Sequence, residues 1–216
     1  RVTNSFGALG SRHQLRATMQ TEENAYFDYF TSLYTDQIHF SADITPSYSA
    51  LGAARLGYIK KKFADRNVAV KAIILIRNPV ERIKSAVRFN LDRENYNEGI
   101  FPGTTEFGLA LERYYSTVHC KLRTEYQGAI TAAYEVFGAE NVYIGVYENM
   151  FEPAEIERLS AFCGVAVRTH LSEVVVNKTR GKVQKLPELE QKVRQAYQHV
   201  YDYCYAHIPV TQSLWS

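Results

Sequence analysis

Residues 68–89 read VAVKAIILIRNPVERIKSAVRF. Residues 68–76 are an apolar run of strand length, of the kind buried on both faces of a parallel sheet. The run stops at Arg77-Asn78-Pro79. Asn78 is a good helix N-cap and Pro79 a good first helical residue, so the next helix is expected to reach about Asn90. Arg77 then sits at the carboxyl edge of the sheet, where ligands of open α/β folds bind. Ser85 falls about two turns into the helix. A helix start offers free N–H groups and the positive end of a dipole, and a guanidinium fork with a hydroxyl suits a phosphate. Taken singly, Arg77 also fits a strand end held by a surface ion pair, and Ser85 a small helix residue.

Outward from this segment, helical and strand patterns alternate. Helices are expected over 3–13 and 22–33, the second from Tyr26, Phe27, Phe30 and Leu33 at helical spacing. Residues 38–44 alternate with period two and read as a strand. A helix is expected over 46–64, a polar loop over 91–105 and a long helical region over 106–137. A strand over 141–147 and a helix over 153–162 follow. Residues 164–186 are irregular and turn basic, and Leu189, Val193, Tyr197, Val200 and Cys204 mark a last amphipathic helix. This order predicts an α/β protein: one domain over 1–216, with a central, mostly parallel sheet and helices on both faces.

The bulk composition narrows the function classes. The 216 residues suit one domain with a core that needs no disulfides. A net charge of +2 is too balanced for a nucleic-acid binder but permits a local basic pocket. Cys120, Cys163 and Cys204 are widely spaced and read as reduced thiols, not a disulfide frame or zinc site. The histidines show no ligand spacing, so no metal is expected. No apolar run of about 18 residues is present to span a membrane, and no signal peptide is visible. The 16 tyrosines place a hydroxyl at many packing positions.

Arg77-Asn78-Pro79-x-x-Arg82-x-x-Ser85, followed by Phe89, resembles the 3′-phosphate segment of sulfotransferases that use 3′-phosphoadenosine-5′-phosphosulfate (PAPS). Residues 42–48 (ADITPSY) look like the T-P-x-Y stretch that precedes it in bacterial and heparan-type members. Residues 22–27 (EENAYF) are similar to the K-E-x-x-Y-F element of the heparan-type branch, with Glu22 in the place of the lysine. Residues 145–150 (GVYENM) resemble a late strand of structural role, and 177–182 (NKTRGK) a basic loop that closes over the nucleotide.

The resemblance implies a P-loop-like sulfotransferase fold and transfer of a sulfuryl group from PAPS to a hydroxyl or amine of a glycan or small-molecule acceptor. PAPS is then the co-substrate, and no metal is required. It implies that Glu23 is the catalytic base and that Arg77 and Ser85 bind the 3′-phosphate. Thr3 and Asn4 would hold the 5′-phosphosulfate, and Arg180 and Lys182 would close over the nucleotide. The first strand, and a lysine for the leaving oxygen, are expected just ahead of Arg1. The lack of an apolar span and the reduced cysteines lean toward a cytoplasmic protein, with a Golgi-lumen domain as the alternative. Two rivals stand beside this reading. A phosphoryl-transfer enzyme needs a GxxxxGK[ST] loop, which is absent, and a strand-end Asp, for which Asp43 is the only candidate. A nucleotide-binding relative could keep the fold without the chemistry.

Overall fold

The computed structural model describes residues 8–96, 98–170 and 185–216. Among them are eleven α-helices, two short 3-10 turns and two β-strands, so the fold is mixed α/β and mostly helical. The contacts divide the chain into two compact units. One holds Arg1–Ile44 and Gly57–Val70, the other Thr45–Leu56 and Lys71–Ser216.

The first unit carries α1 (Ala8–Thr21), α2 (Ala25–Ser32) and most of α3 (Ala53–Ala64). Its core is aromatic. Phe27 and Phe63 are buried and meet edge to face at 5.1 Å, and Tyr26 and Tyr58 close on them. The strand expected over 38–44 does not form. A single antiparallel bridge joins Thr35 to Ile38, and Ile44 is 89% exposed. Alternation alone makes no strand where neither a pairing partner nor a covered face is at hand.

The second unit holds β1 (Ala72–Ile76) and β2 (Val142–Val146), paired in parallel with Ala72 opposite Val142 and Ile76 opposite Val146. A parallel pair needs a crossover connection. Here it consists of α4 (Pro79–Asp92), α5 (Phe107–Tyr114), α6 (Val118–Thr124) and α7 (Tyr126–Phe137). Beyond β2 come α8 (Pro153–Cys163), α9 (Pro187–Ala196), α10 (Gln198–His207) and α11 (Val210–Leu214).

Helix α4 buries Val80, Ile83, Lys84 and Val87, the i, i+3, i+4, i+7 stripe of an amphipathic helix. They join a core with Ile76, Leu111, Tyr114, Ile130, Tyr201 and Trp215. Where a larger sheet was expected, the described residues contain a two-stranded one. Nor is β1 buried on both faces. Ile74 and Ile76 turn toward the core, while Ile73 and Leu75 are 42% and 50% exposed. Opposite Leu75 stands Gly145, and the Leu75 side chain lies across it, where any Cβ would be only 2.7 Å from Leu75 Cδ2.

The helical region expected over 106–137 is broken twice. Thr117 Oγ1 caps α6 by accepting from Cys120 N at 3.1 Å, and Glu125 interrupts the chain before α7. The last amphipathic helix divides likewise, at Tyr197 between α9 and α10. The helix expected over 46–64 resolves into a 3-10 turn at Pro46–Ala50 and then α3.

Candidate functional site

Arg77 stands one residue past β1, at the carboxyl end of the parallel pair. The pairing extends one step beyond the strands, since Tyr147 N donates to Ile76 O at 2.8 Å. Tyr147 thereby lies beside Arg77, whose guanidinium carbon rests 4.3 Å from the centre of its ring. Among the described residues the Arg77 side chain makes no ion pair and no hydrogen bond, and its Nε is buried without a partner. A buried N–H left unmatched costs about 1–3 kcal/mol, so such a group marks a place for an acceptor.

The turn below Arg77 is tightly held. Tyr126 OH donates to Arg77 O at 2.8 Å. Asn78 N donates to Glu148 Oε1 at 2.9 Å, and the other Glu148 oxygen accepts from Trp215 Nε1 at 2.9 Å. Tyr201 OH donates to Asn78 Oδ1 at 2.8 Å. Burial pushes the Tyr201 hydroxyl up to about 12 and the Tyr126 hydroxyl higher still, so both remain protonated donors. Four side chains from α7, the end of β2, α10 and the residue after α11 thus fix one tripeptide.

Asn78 behaves as its sequence position predicts. Its Oδ1 accepts from Val80 N at 3.1 Å and Glu81 N at 3.4 Å. This corrects one expectation. The N–H groups at the start of α4 are already satisfied by Asn78, and Pro79 contributes none, so an anion here is left with side chains to bind it. Ser85 is half-buried, seven residues beyond Asn78, and therefore about 10 Å along the helix on nearly the same face. Its hydroxyl has no hydrogen-bond partner among the described residues. Arg82, between them, is committed elsewhere: it donates to Thr124 Oγ1 at 3.1 Å and Tyr114 OH at 3.3 Å.

Glu23 lies in the first unit, in the turn between α1 and α2. Its Oε1 accepts from Lys62 Nζ at 2.8 Å and from Tyr58 OH at 3.2 Å, both on α3. The side chain is 69% exposed. The Lys62 hydrogen bond, then that of Tyr58, holds the carboxyl below its ordinary value. A partly dry pocket would have raised it instead. Thr3, Asn4, Arg180 and Lys182 lie outside the described residues. Asp43 accepts from Tyr26 OH at 2.9 Å. No group of three or more His, Cys, Asp or Glu side chains able to hold a metal is present among the described residues, and no helix among them is long and apolar enough to cross a membrane.

The structure thus puts Arg77 and Ser85 on one strand–turn–helix segment and Glu23 on the other unit. The sequence implies a structural role only for Tyr147 and Glu148, and assigns no part to Lys62, Tyr58, Tyr126 or Tyr201. The one available signal was the four-residue spacing of Tyr58 and Lys62, which puts an aromatic hydroxyl and a cation on one helix face.

No protein-family model matches this sequence, and no curated protein sequence does. Among solved structures, the chain is similar in fold to a sulfotransferase from Alicyclobacillus acidocaldarius, with a TM-score of 0.58 and 20% identity. The match covers 87% of this chain and 71% of that one.

Proposed function

We propose that this chain is a PAPS-dependent sulfotransferase that passes a sulfuryl group to a hydroxyl or amine of a glycan or small-molecule acceptor. The observation that carries the reading is Arg77: a guanidinium with no ion pair among the described residues and an orphaned, buried Nε, at the carboxyl edge of a parallel strand pair. Its fold likeness to a sulfotransferase supports the same reading. So does the R-N-P-x-x-R-x-x-S pattern of residues 77–85. The larger parallel sheet with helices on both faces belongs to this proposal too.

PAPS would supply the activated sulfuryl group and a phosphate leaving group. Arg77 and the Ser85 hydroxyl would hold the 3′-phosphate, fixing the distance from that anchor to the reacting sulfur. Thr3 and Asn4 would hold the phosphosulfate end, and Arg180 and Lys182 would cover the nucleotide. Glu23 would take the acceptor's proton, a role suited to a carboxylate ionised at neutral pH. A cytoplasmic location accords with this reading.

Calorimetric titration tests it. Arg77→Ala removes charged hydrogen bonds worth about 1.5–3 kcal/mol, so 3′,5′-ADP should bind about 10- to 100-fold more weakly. Binding of 5′-AMP, which lacks the 3′-phosphate, should change little. Equal losses for the two nucleotides would rule out a 3′-phosphate contact. Glu23→Gln should abolish turnover and leave 3′,5′-ADP binding intact; retained turnover would remove Glu23 from the role of base.

A further inference from the structure

The carboxylate of Glu23 is held on one side only. Oε1 receives both the Lys62 ammonium and the Tyr58 hydroxyl, while Oε2 has no hydrogen-bond partner among the described residues. The two partners differ sharply in exposure: the Lys62 side chain is 20% exposed, that of Glu23 69%. Lys62 is therefore the anchored member. Its Nζ lies 5.5 Å from the centre of the Tyr58 ring and also donates to Asn24 Oδ1 at 3.2 Å. In the turn just past α3, Arg66 grips Asp28 at 2.7 Å and Asn24 at 3.3 Å. Tyr58 and Lys62 on α3, with Arg66 just beyond it, thus hold the entry into α2. Among the described residues, the charged and titratable groups that reach Glu23 are Lys62 and Tyr58 from α3, and Glu22 precedes it in the same turn. Thr18 and Thr21, in the last turn of α1, carry no charge. Position 22 is itself acidic, so the cation that balances Glu23 comes from 39 residues later in the chain.

We propose that Lys62, assisted by Tyr58, is the positioning residue of Glu23: it holds Oε1 and leaves Oε2 as the atom that accepts the acceptor's proton. This rests on Glu23 being the base of the proposed reaction. In that step Oε2 takes the proton as the acceptor oxygen or nitrogen bonds to sulfur. The electron pair of the broken S–O bond leaves on the phosphate oxygen of 3′,5′-ADP. A carboxylate anchored through one oxygen has a single orientation in which to meet the acceptor, and orientation is where much of such a rate enhancement resides. The Lys62 hydrogen bond, then that of Tyr58, also lowers the Glu23 carboxyl below its ordinary value, on the side that favours the ionised base.

The test uses Lys62→Met, Lys62→Arg, Tyr58→Phe and Glu23→Gln in the full chain. The probes are PAPS with 2-naphthol and with chemically desulfated heparan oligosaccharide, and Glu23 is followed by its 13C side-chain carboxyl signal across pH. In Lys62→Met, Glu23 is expected to titrate at higher pH than in the wild type. The acidic limb of the kcat profile moves up with it, kcat falls roughly 10- to 100-fold and the KM for PAPS is unchanged. Lys62→Arg restores all three, and Tyr58→Phe gives a smaller change in the same direction. The Glu23 end of the pair is 69% exposed, so its loss should cost little folding stability and Tm should stay near the wild-type value; a fall in Tm that accounts for the lost activity would assign Lys62 a structural role only. If Glu23→Gln is inactive while Lys62→Met keeps the wild-type kcat and pH profile, the positioning role of Lys62 is overturned and the base reading stands. If Glu23→Gln is as active as the wild type, or the wild type sulfates neither probe, the base reading fails and takes this proposal with it.

Discussion

Lys84→Met is the substitution whose effect the structure defines most fully. Lys84 is 4% exposed, yet it carries a charge, and it sits beside Ser85 on the inner stripe of α4. Its Nζ lies 2.8 Å from Glu81 Oε1 on its own helix and 3.0 Å from Glu190 Oε1 on α9. Removing one partner of a fully buried pair costs about 3–5 kcal/mol, because the other charge is left desolvated and alone. Glu81 and Glu190 keep 42% and 26% of their side-chain exposure, so water recovers part of that loss. The expected cost is therefore about 2–3 kcal/mol. For a chain of this length each kcal/mol moves Tm by about 2–4 °C, giving a drop of about 4–12 °C. Circular dichroism during heating and urea titration measure it directly. A cycle with Glu190→Met isolates the link between α4 and α9: the double variant should lose less than the sum of the singles by on the order of 1 kcal/mol. Acid provides a second check. Burial pushes Glu190 upward, but the Lys84 hydrogen bond and charge outweigh it, with net lowering from the ordinary 4.5. A carboxylate lowered on folding gives stability that is complete above its unfolded value and vanishes as pH falls through its folded value. The gap between wild type and Lys84→Met should hold at neutral pH and narrow below 4.5. A Lys84→Met protein melting within about 1 °C of the wild type, or strict additivity in the cycle, would refute the reasoning.

Three further outcomes are expected. Asn78→Ala removes the cap of α4 and the partner of the Tyr201 hydroxyl, which should cost about 1–2 kcal/mol in urea titration and weaken 3′,5′-ADP binding as the Arg77 turn loosens. Gly138 has φ 80° and ψ 154°, a region open essentially to glycine alone, whereas Gly164 is left-handed at φ 68° and ψ 32° with open space around its Cα. Gly138→Ala should therefore destabilise by about 1–3 kcal/mol and Gly164→Ala by about 1 kcal/mol, both read from urea midpoints. Burial raises all three thiols, Cys204 to about 12, but Cys163 is the half-buried one. Iodoacetamide at pH 8 should label Cys163 first, with Cys120 and Cys204 labelled after denaturation, as mass spectrometry would show.

What was legible in the sequence was written in local chemistry. Asn78 and Pro79 define the start of α4 whatever surrounds them, because a side-chain cap and a fixed φ act within a few residues. Strand β2 and helix α8 likewise lie where the apolar run and Pro153 put them. Residues 38–44 show the opposite case. Their period-two pattern is real, but a strand is completed by a neighbour, and Phe40 and Ile44 are left exposed. The breaks before α6 and α10 were hidden because apolar periodicity continues across them, although Thr117 is a capping residue that marks the first. The anchors of the candidate site were hidden for a plainer reason. Lys62 meets Glu23 across 39 residues and Tyr201 meets Asn78 across 123, and no local pattern encodes such pairings.

Because Arg77 rests against the Tyr147 ring and makes no ion pair among the described residues, its positive charge is attracted without being cancelled there. An anionic ligand of the kind proposed would have no ion pair of Arg77 among the described residues to break first. Capture of the proposed anion would then be a single diffusive event, with a rate that falls steeply with ionic strength and no slow, concentration-independent phase.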